Sequence, residues 1–324
     1  MLWLDCIQKE RGEKMEKRVE LLISNIGNII VGKNGTIKNI VAALLCNGHV
    51  LIEDVPGVGK TRLVSALAAS LNGKFNRIQL TPDIMPSDIV GYSIPDRQTG
   101  ELVYHEGVAV CNFLLADEIN RASSKSQSAL LEVMEEHQIT LDGKTIPLPD
   151  VFMVLATQNH IETYGTYHLP EAQMDRFIMR VSMGYPTRVE EKQILEYQSR
   201  PVSDLNSVLS TEDIVELQKQ VEKVMVTDVL KDYIVNIAEY TRNNPNISLG
   251  ISPRGSIALY KVSKAMAFMD GRSYVIPDDI KGVAKCVLAH RIVLSANGRA
   301  NYRDEFEVID DVLNKVKVPV SNEY

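Results

Sequence analysis

Residues 54–61 read Asp54-Val55-Pro56-Gly57-Val58-Gly59-Lys60-Thr61, and this stretch decides the fold. Immediately before it, His49-Val50-Leu51-Ile52 is a short apolar run of strand character. Immediately after it, Lys60 to Leu71 takes up a helical period, with Leu63, Val64, Leu67 and Leu71 on one face. Strand, glycine-rich loop and helix together allow backbone N–H groups to turn inward around phosphate oxygens. Gly57 and Gly59 supply the backbone freedom, Lys60 a cation for the outer phosphates, and Thr61 a hydroxyl for a divalent cation. The helix start adds its dipole. The general pattern opens with glycine where this chain has Asp54. An acid facing phosphate repels it, so Asp54 must point away or be paired locally.

Outward from the loop, further short strands are expected at Asn76 to Leu80, Cys111 to Ala116, Val151 to Ala156 and Phe177 to Met183. Helix-like segments separate several of them, notably Thr36 to Cys46 and Ser124 to His137. Short buried strands alternating with helices imply an α/β fold with a parallel, helix-covered sheet. Two polar insertions read as hairpins. Residues 91–107 carry the turn cluster Asp96-Arg97-Gln98-Thr99-Gly100, and residues 138–149 carry Asp142-Gly143 between alternating residues.

After Pro186 helical periodicity takes over, with helices expected over Arg188 to Gln198, Glu212 to Met225, Val229 to Arg242, Arg254 to Met269 and Asp278 to His290. Thr211, Asp228, Ser252 and Pro277 are start signals for four of these. The division is an extension over 1–24, a nucleotide-binding core over 25–187 with inserts at 91–107 and 138–149, and a smaller helical domain over 188–324. Length agrees, because 324 residues favour two compact domains. The run Glu10 to Glu20 is charged and featureless, and Met15 is a second candidate initiator beside Met1.

The second chemical signal is Phe113-Leu114-Leu115-Ala116-Asp117-Glu118, an apolar strand ending in two acids. That placement suits a ligand for Mg²⁺ (Asp117, with Thr61) and a base that polarises attacking water (Glu118). Many strands end in acids; behind a phosphate loop the pattern gains its meaning.

Composition sets the outer limits. Hydrophobic residues make up 45% and charged residues 24%, an ordinary globular balance. No run approaches the ~18 apolar residues that span a bilayer, and the opening residues are too short and acidic for a signal peptide. Four scattered cysteines (Cys6, Cys46, Cys111, Cys286) show neither metal-ligand spacing nor disulfide density, which suits a reducing cytoplasm. A net charge of −7 disfavours nucleic acid as a partner and leaves proteins or small molecules.

With these motifs on the page, the chain resembles the MoxR family of AAA+ ATPases. The most specific stretches are Leu115-Ala116-Asp117-Glu118-Ile119-Asn120-Arg121-Ala122, Leu155-Ala156-Thr157-Gln158-Asn159 and Glu162 to Phe177. The resemblance implies an αβα P-loop core followed by an all-α lid, and it implies ATP and Mg²⁺ as ligands. It gives Asn159 the role of first sensor, an amide holding the attacking water; His160 stands where the family usually has proline. It makes Arg176 an arginine finger inserted into a neighbouring subunit's site, and Arg254 a second sensor at the start of a lid helix. Val31 and Gly32 fall where relatives contact adenine. Tyr92 and Tyr104 of the first hairpin either face a client or pore, or pack within the hairpin.

A trans-acting Arg176 makes sense only in a homo-oligomer, and the family expectation is a hexameric ring. Partners with von Willebrand A domains, and a protein client that is remodelled, assembled or matured with a metal cofactor, follow from the resemblance alone. Three other readings stand beside it: a nucleic-acid motor or loader, a nucleotide-gated scaffold with little turnover, and a magnesium-chelatase-like subunit.

Overall fold

A computed structural model describes residues 17–55, 57–158, 167, 169–197 and 202–319. Its centre is a five-stranded, all-parallel sheet. The strands are β1 (His49–Glu53), β2 (Phe75–Gln79), β5 (Phe113–Asp117), β8 (Met153–Gln158) and β9 (Phe177–Val181), in the order β2-β5-β8-β1-β9. β5, β8 and β9 are buried along their whole length, as their largely apolar runs require when both sheet faces are covered, and the buried Arg180 of β9 pairs with Glu53 at 2.9 Å.

Alternation along the strands sorts the two faces. Val50, Ile52, Leu115 and Leu155 belong to one core cluster, while Leu51, Leu114, Ala116, Val154 and Ala156 belong to another. The first cluster is covered by α1 (17–27), α2 (Asn34–Leu45) and α3 (Lys60–Ser70). The second lies beneath α4 (Pro86–Val90) and α5 (Ser124–Glu136). α5 is capped by the Ser123 hydroxyl and ends at His137 in the left-handed conformation.

Both inserts are antiparallel hairpins. β3 (Gly91–Pro95) pairs with β4 (Leu102–Glu106), its turn held by Asp96 Oδ1 accepting from the Gln98 and Thr99 N–H groups. β6 (Gln138–Leu141) pairs with β7 (Lys144–Pro147), and positive φ at both Asp142 and Gly143 gives the tight turn their residue types favour. The first hairpin resolves the tyrosine alternative for one residue. The Tyr104 hydroxyl donates to Val90 O at 2.6 Å, whereas Tyr92 is exposed and stacks on His105.

After the one-turn α6 (Glu171–Met174) and β9, the chain enters α7 (Arg188–Tyr197), then α8 (Thr211–Val221), α9 (Asp228–Arg242), α10 (Pro253–Met269) and α11 (Pro277–Leu288). α12 (Ala296–Asn301) and α13 (Glu305–Lys315) follow, and a small ribbon joins β10 (Ile247–Leu249) to β11 (Val293–Leu294). Ser252 caps α10 as expected, but the cap of α8 is Ser210 rather than Thr211. α8 also stops short of Met225, because that residue is drawn into a bridge with the segment around Tyr274.

Two of the longer helices were not anticipated. Residues 17–27 form α1 within a stretch whose charges suggest no structure, and Val19, Leu22 and Ile26 are buried in the core shared with the lid. α13 buries Val308, Ile309 and Val312 and is capped by Asp304.

Candidate nucleotide site

The loop leaves the carboxyl end of β1, between β8 and the edge strand β9. Gly57 and Gly59 take φ of +84° and +92°, a region that side chains avoid, and Gly59 leads directly into α3. A cavity of about 340 Å³ opens there, lined by Gly57, Gly59, Lys60, Thr61, Arg62, Arg77, Gln79, Asp117, Glu118 and Thr157. Lys60 Nζ donates to Asp54 O at 3.1 Å. Burial pulls the Lys60 pKa below its ordinary value, opposed by the nearby acids Asp54, Asp117 and Glu118.

Asp54 turns away from the cavity. Its Oδ2 accepts from the backbone N–H groups of Met183 and Gly184 and from the Ser182 hydroxyl, and its Oδ1 accepts from Val55 N–H at 3.0 Å. The acid that replaces the first glycine thus ties the loop to the chain leaving β9, and its carboxylate is spent on donors rather than aimed at phosphate.

β5 delivers the two acids into the cavity. Asp117 is nearly buried; its Oδ2 lies 2.7 Å from Arg77 Nε and its Oδ1 accepts from the Thr157 hydroxyl at 3.3 Å. Glu118 adopts left-handed φ and ψ of 57° and 54°, uncommon for a residue with a side chain. Such a conformation costs ~1–3 kcal/mol and persists only where its surroundings enforce it. Here its N–H is held by the Thr157 hydroxyl at 2.9 Å, and its carboxylate pairs with Arg121 Nε at 3.0 Å. The Thr61 hydroxyl and the Asp117 carboxylate are hard oxygen donors of two residues that line this cavity, a set that suits Mg²⁺. Asn159 and Pro56 lie outside the described residues, so the sensor role expected of Asn159 has no geometry here.

The two candidate arginines meet elsewhere. Arg176, following α6, places Nε 3.1 Å from Glu135 Oε2 and donates from Nη1 to Leu131 O at 2.6 Å. Arg254, in the first turn of α10, pairs with the other oxygen of the same Glu135. Both line a second cavity of about 180 Å³ between His49, Met134 and α10, at the amino end of the sheet. Asp175 staples this junction, accepting from the Ser252 hydroxyl and from the buried Arg291, each at 2.6 Å. Arg254 thus lies away from the phosphate-loop cavity of its own chain: α10 packs on α2 and presents its first turn to α5.

Val31 and Gly32 do not line the phosphate-loop cavity. Gly32 has φ of +74° and backs onto the start of α7, where an added Cβ would fall 2.0 Å from Glu190 Oε1. Arg77, Thr157 and Glu135 carry contacts that sequence reasoning did not assign. Thr157 was within reach, since it lies inside the Leu155–Asn159 motif; Arg77 and Glu135 show no local pattern.

Comparison with known proteins agrees with this geometry. The family described as "ATPase family associated with various cellular activities (AAA)" matches residues 49–179, and an AAA lid domain matches residues 239–314. YeaC of Bacillus subtilis (strain 168) is 48% identical over 92% of this chain and 94% of its own. Chaperone MoxR1 of Mycobacterium tuberculosis is 41% identical over 94% of this chain and 83% of its own. A solved structure from Cytophaga hutchinsonii, described as a candidate ATPase, superimposes with a TM-score of 0.90 at 36% identity, covering 99% of this chain and all of that one. Core, lid, site geometry and relatives converge: the chain belongs to the MoxR family of AAA+ ATPases.

Proposed function

We propose that the chain binds ATP with Mg²⁺ and hydrolyses it at the phosphate-loop cavity, working as a homo-oligomer that remodels or assembles a protein client. The observation that carries this reading is the convergence of Lys60, Thr61, Asp117 and Glu118 on one cavity. Lys60 holds the outer phosphates, which the backbone N–H groups of Gly57, Val58 and Gly59 wrap; Val55, whose N–H is given to Asp54, and Pro56, which has none, lead into the loop. Thr61 and Asp117 hold the Mg²⁺, which when bound draws off phosphate charge. Glu118, fixed by its strained backbone, accepts hydrogen bonding from the attacking water, and Asn159 orients that water. Val31 and Gly32 carry the adenine contact only through the family resemblance.

Arg176 and Arg254 share one carboxylate and both lie away from the loop of their own chain. They therefore act as a pair on the nucleotide of an adjacent subunit, and the active unit is an assembly; a ring of six is the family expectation. A von Willebrand A partner and a cytoplasmic setting also rest on resemblance. A nucleic-acid motor is disfavoured by the net charge of −7. Steady-state ATPase of wild type against Glu118→Gln, measured across protein concentrations, tests the proposal. Turnover that rises with assembly and disappears in the variant supports it; equal inactivity of both proteins means a nucleotide-gated scaffold.

A further inference from the structure

We propose that Arg77 is a positioning residue of the nucleotide site, which holds the Asp117 carboxylate until a divalent cation competes for it. This rests on the assignment of Asp117 to Mg²⁺ made above. Arg77 lies on β2, the edge strand, two residues before Gln79, which sits in register with Asp117. Period-2 alternation puts Arg77 and Gln79 on one side of that strand, and both line the cavity. The Arg77 side chain is 50% exposed, so it has no packing role in the core, whereas that of Asp117 is 11% exposed. The pair is thus one buried carboxylate clasped by an arm that reaches in from solvent.

The clasp and a cation compete for the same carboxylate. Arg77 Nε sits 2.7 Å from Oδ2, an oxygen that would serve a bound cation. The Thr157 hydroxyl also donates to this carboxylate, at a long 3.3 Å on Oδ1. A cation bound at Oδ2 repels the guanidinium, and the half-exposed side chain has room to swing out. While it stays, Asp117 presents no bare charge to arriving phosphates. Apparent cation affinity is then lowered by the fraction of sites in which Asp117 is released.

The test titrates free Mg²⁺ against binding of a fluorescent ADP analogue to the full chain, for wild type, Arg77→Met and Arg77→Lys. In Arg77→Met the half-saturating Mg²⁺ falls about threefold or more, with affinity at saturating Mg²⁺ unchanged, and Arg77→Lys stays near wild type. An unchanged or raised half-saturation in Arg77→Met overturns the proposal. So does a loss of affinity at saturating Mg²⁺, which makes Arg77 a phosphate ligand instead. Asp117→Asn separates the two levels: if it leaves the Mg²⁺ dependence at the wild-type value, the assignment of Asp117 itself fails, whatever Arg77 does.

Discussion

Replacing Asp54 by glycine restores the general phosphate-loop pattern, and it should make this protein worse. The carboxylate accepts from Met183 N–H, from Gly184 N–H at 2.9 Å, from the Ser182 hydroxyl at 3.3 Å and from Val55 N–H at 3.0 Å. Hydrogen bonds to a charged group contribute ~1.5–3 kcal/mol each when buried, and ~1 kcal/mol is a fair share at this partly exposed site. Counting the two β9-side amides fully, and the longer or local contacts at about half, gives ~2–3 kcal/mol. The added glycine also widens the unfolded ensemble at a cost of ~0.5–1 kcal/mol. A total near ~3 kcal/mol corresponds to an apparent Tm lower by roughly 4–5 °C at this chain size. Asp54→Asn should lose most of the same stability, because its NH₂ group meets donors instead of acceptors. Thermal or urea unfolding of wild type, Asp54→Gly and Asp54→Asn reads this directly. A loss below ~1 kcal/mol in both variants refutes the reasoning, since the bonds would then contribute no more than an average surface substitution.

Lys60→Ala should abolish nucleotide binding by equilibrium titration, because it removes the phosphate cation. Glu118→Gln should retain binding and lose about 10²–10⁴-fold in turnover. Arg176→Ala should also keep binding while losing ~10³-fold or more in steady-state ATPase; normal hydrolysis in that variant eliminates the shared site. Stability should fall with acid through His49. It is buried, donates from Nε2 to Met134 O and accepts from Val154 N–H on Nδ1, and burial, the largest cause, holds its pKa down to about 4. The folded value lies below the unfolded 6.5, so this contribution is complete above pH 6.5 and lost as pH drops toward 4, reaching about 3 kcal/mol. Urea midpoints at pH 7.5 and 5 should differ accordingly, and the difference should shrink in His49→Gln.

The readable parts of the fold are those governed by local pattern. β5 and β8 announce themselves as unbroken apolar runs, α3 by its period, and the Asp142-Gly143 turn by residues that tolerate positive φ. α1 was equally patterned, with Val19, Leu22 and Ile26 at helical spacing, but its interleaved charges hide a face that becomes apolar only when buried against α2 and the lid. α13 has the same character: Val308, Ile309 and Val312 make a narrow stripe among acids, and only the lid core shows what that stripe covers.

By itself the sequence determined which chemistry the chain carries. Lysine, glycines, threonine and paired acids sit at spacings that backbone geometry converts into a phosphate cradle and a strand end, whatever surrounds them. Tertiary structure alone decided which charges answer one another. Asp54 finds amides more than a hundred residues away at the end of β9, Arg77 reaches Asp117 on the neighbouring strand, and Glu135 gathers Arg176 and Arg254 away from the loop. Ion pairing depends on distance in space and carries no period along the chain, so these partners exist only once the sheet order β2-β5-β8-β1-β9 and the seat of α10 are set.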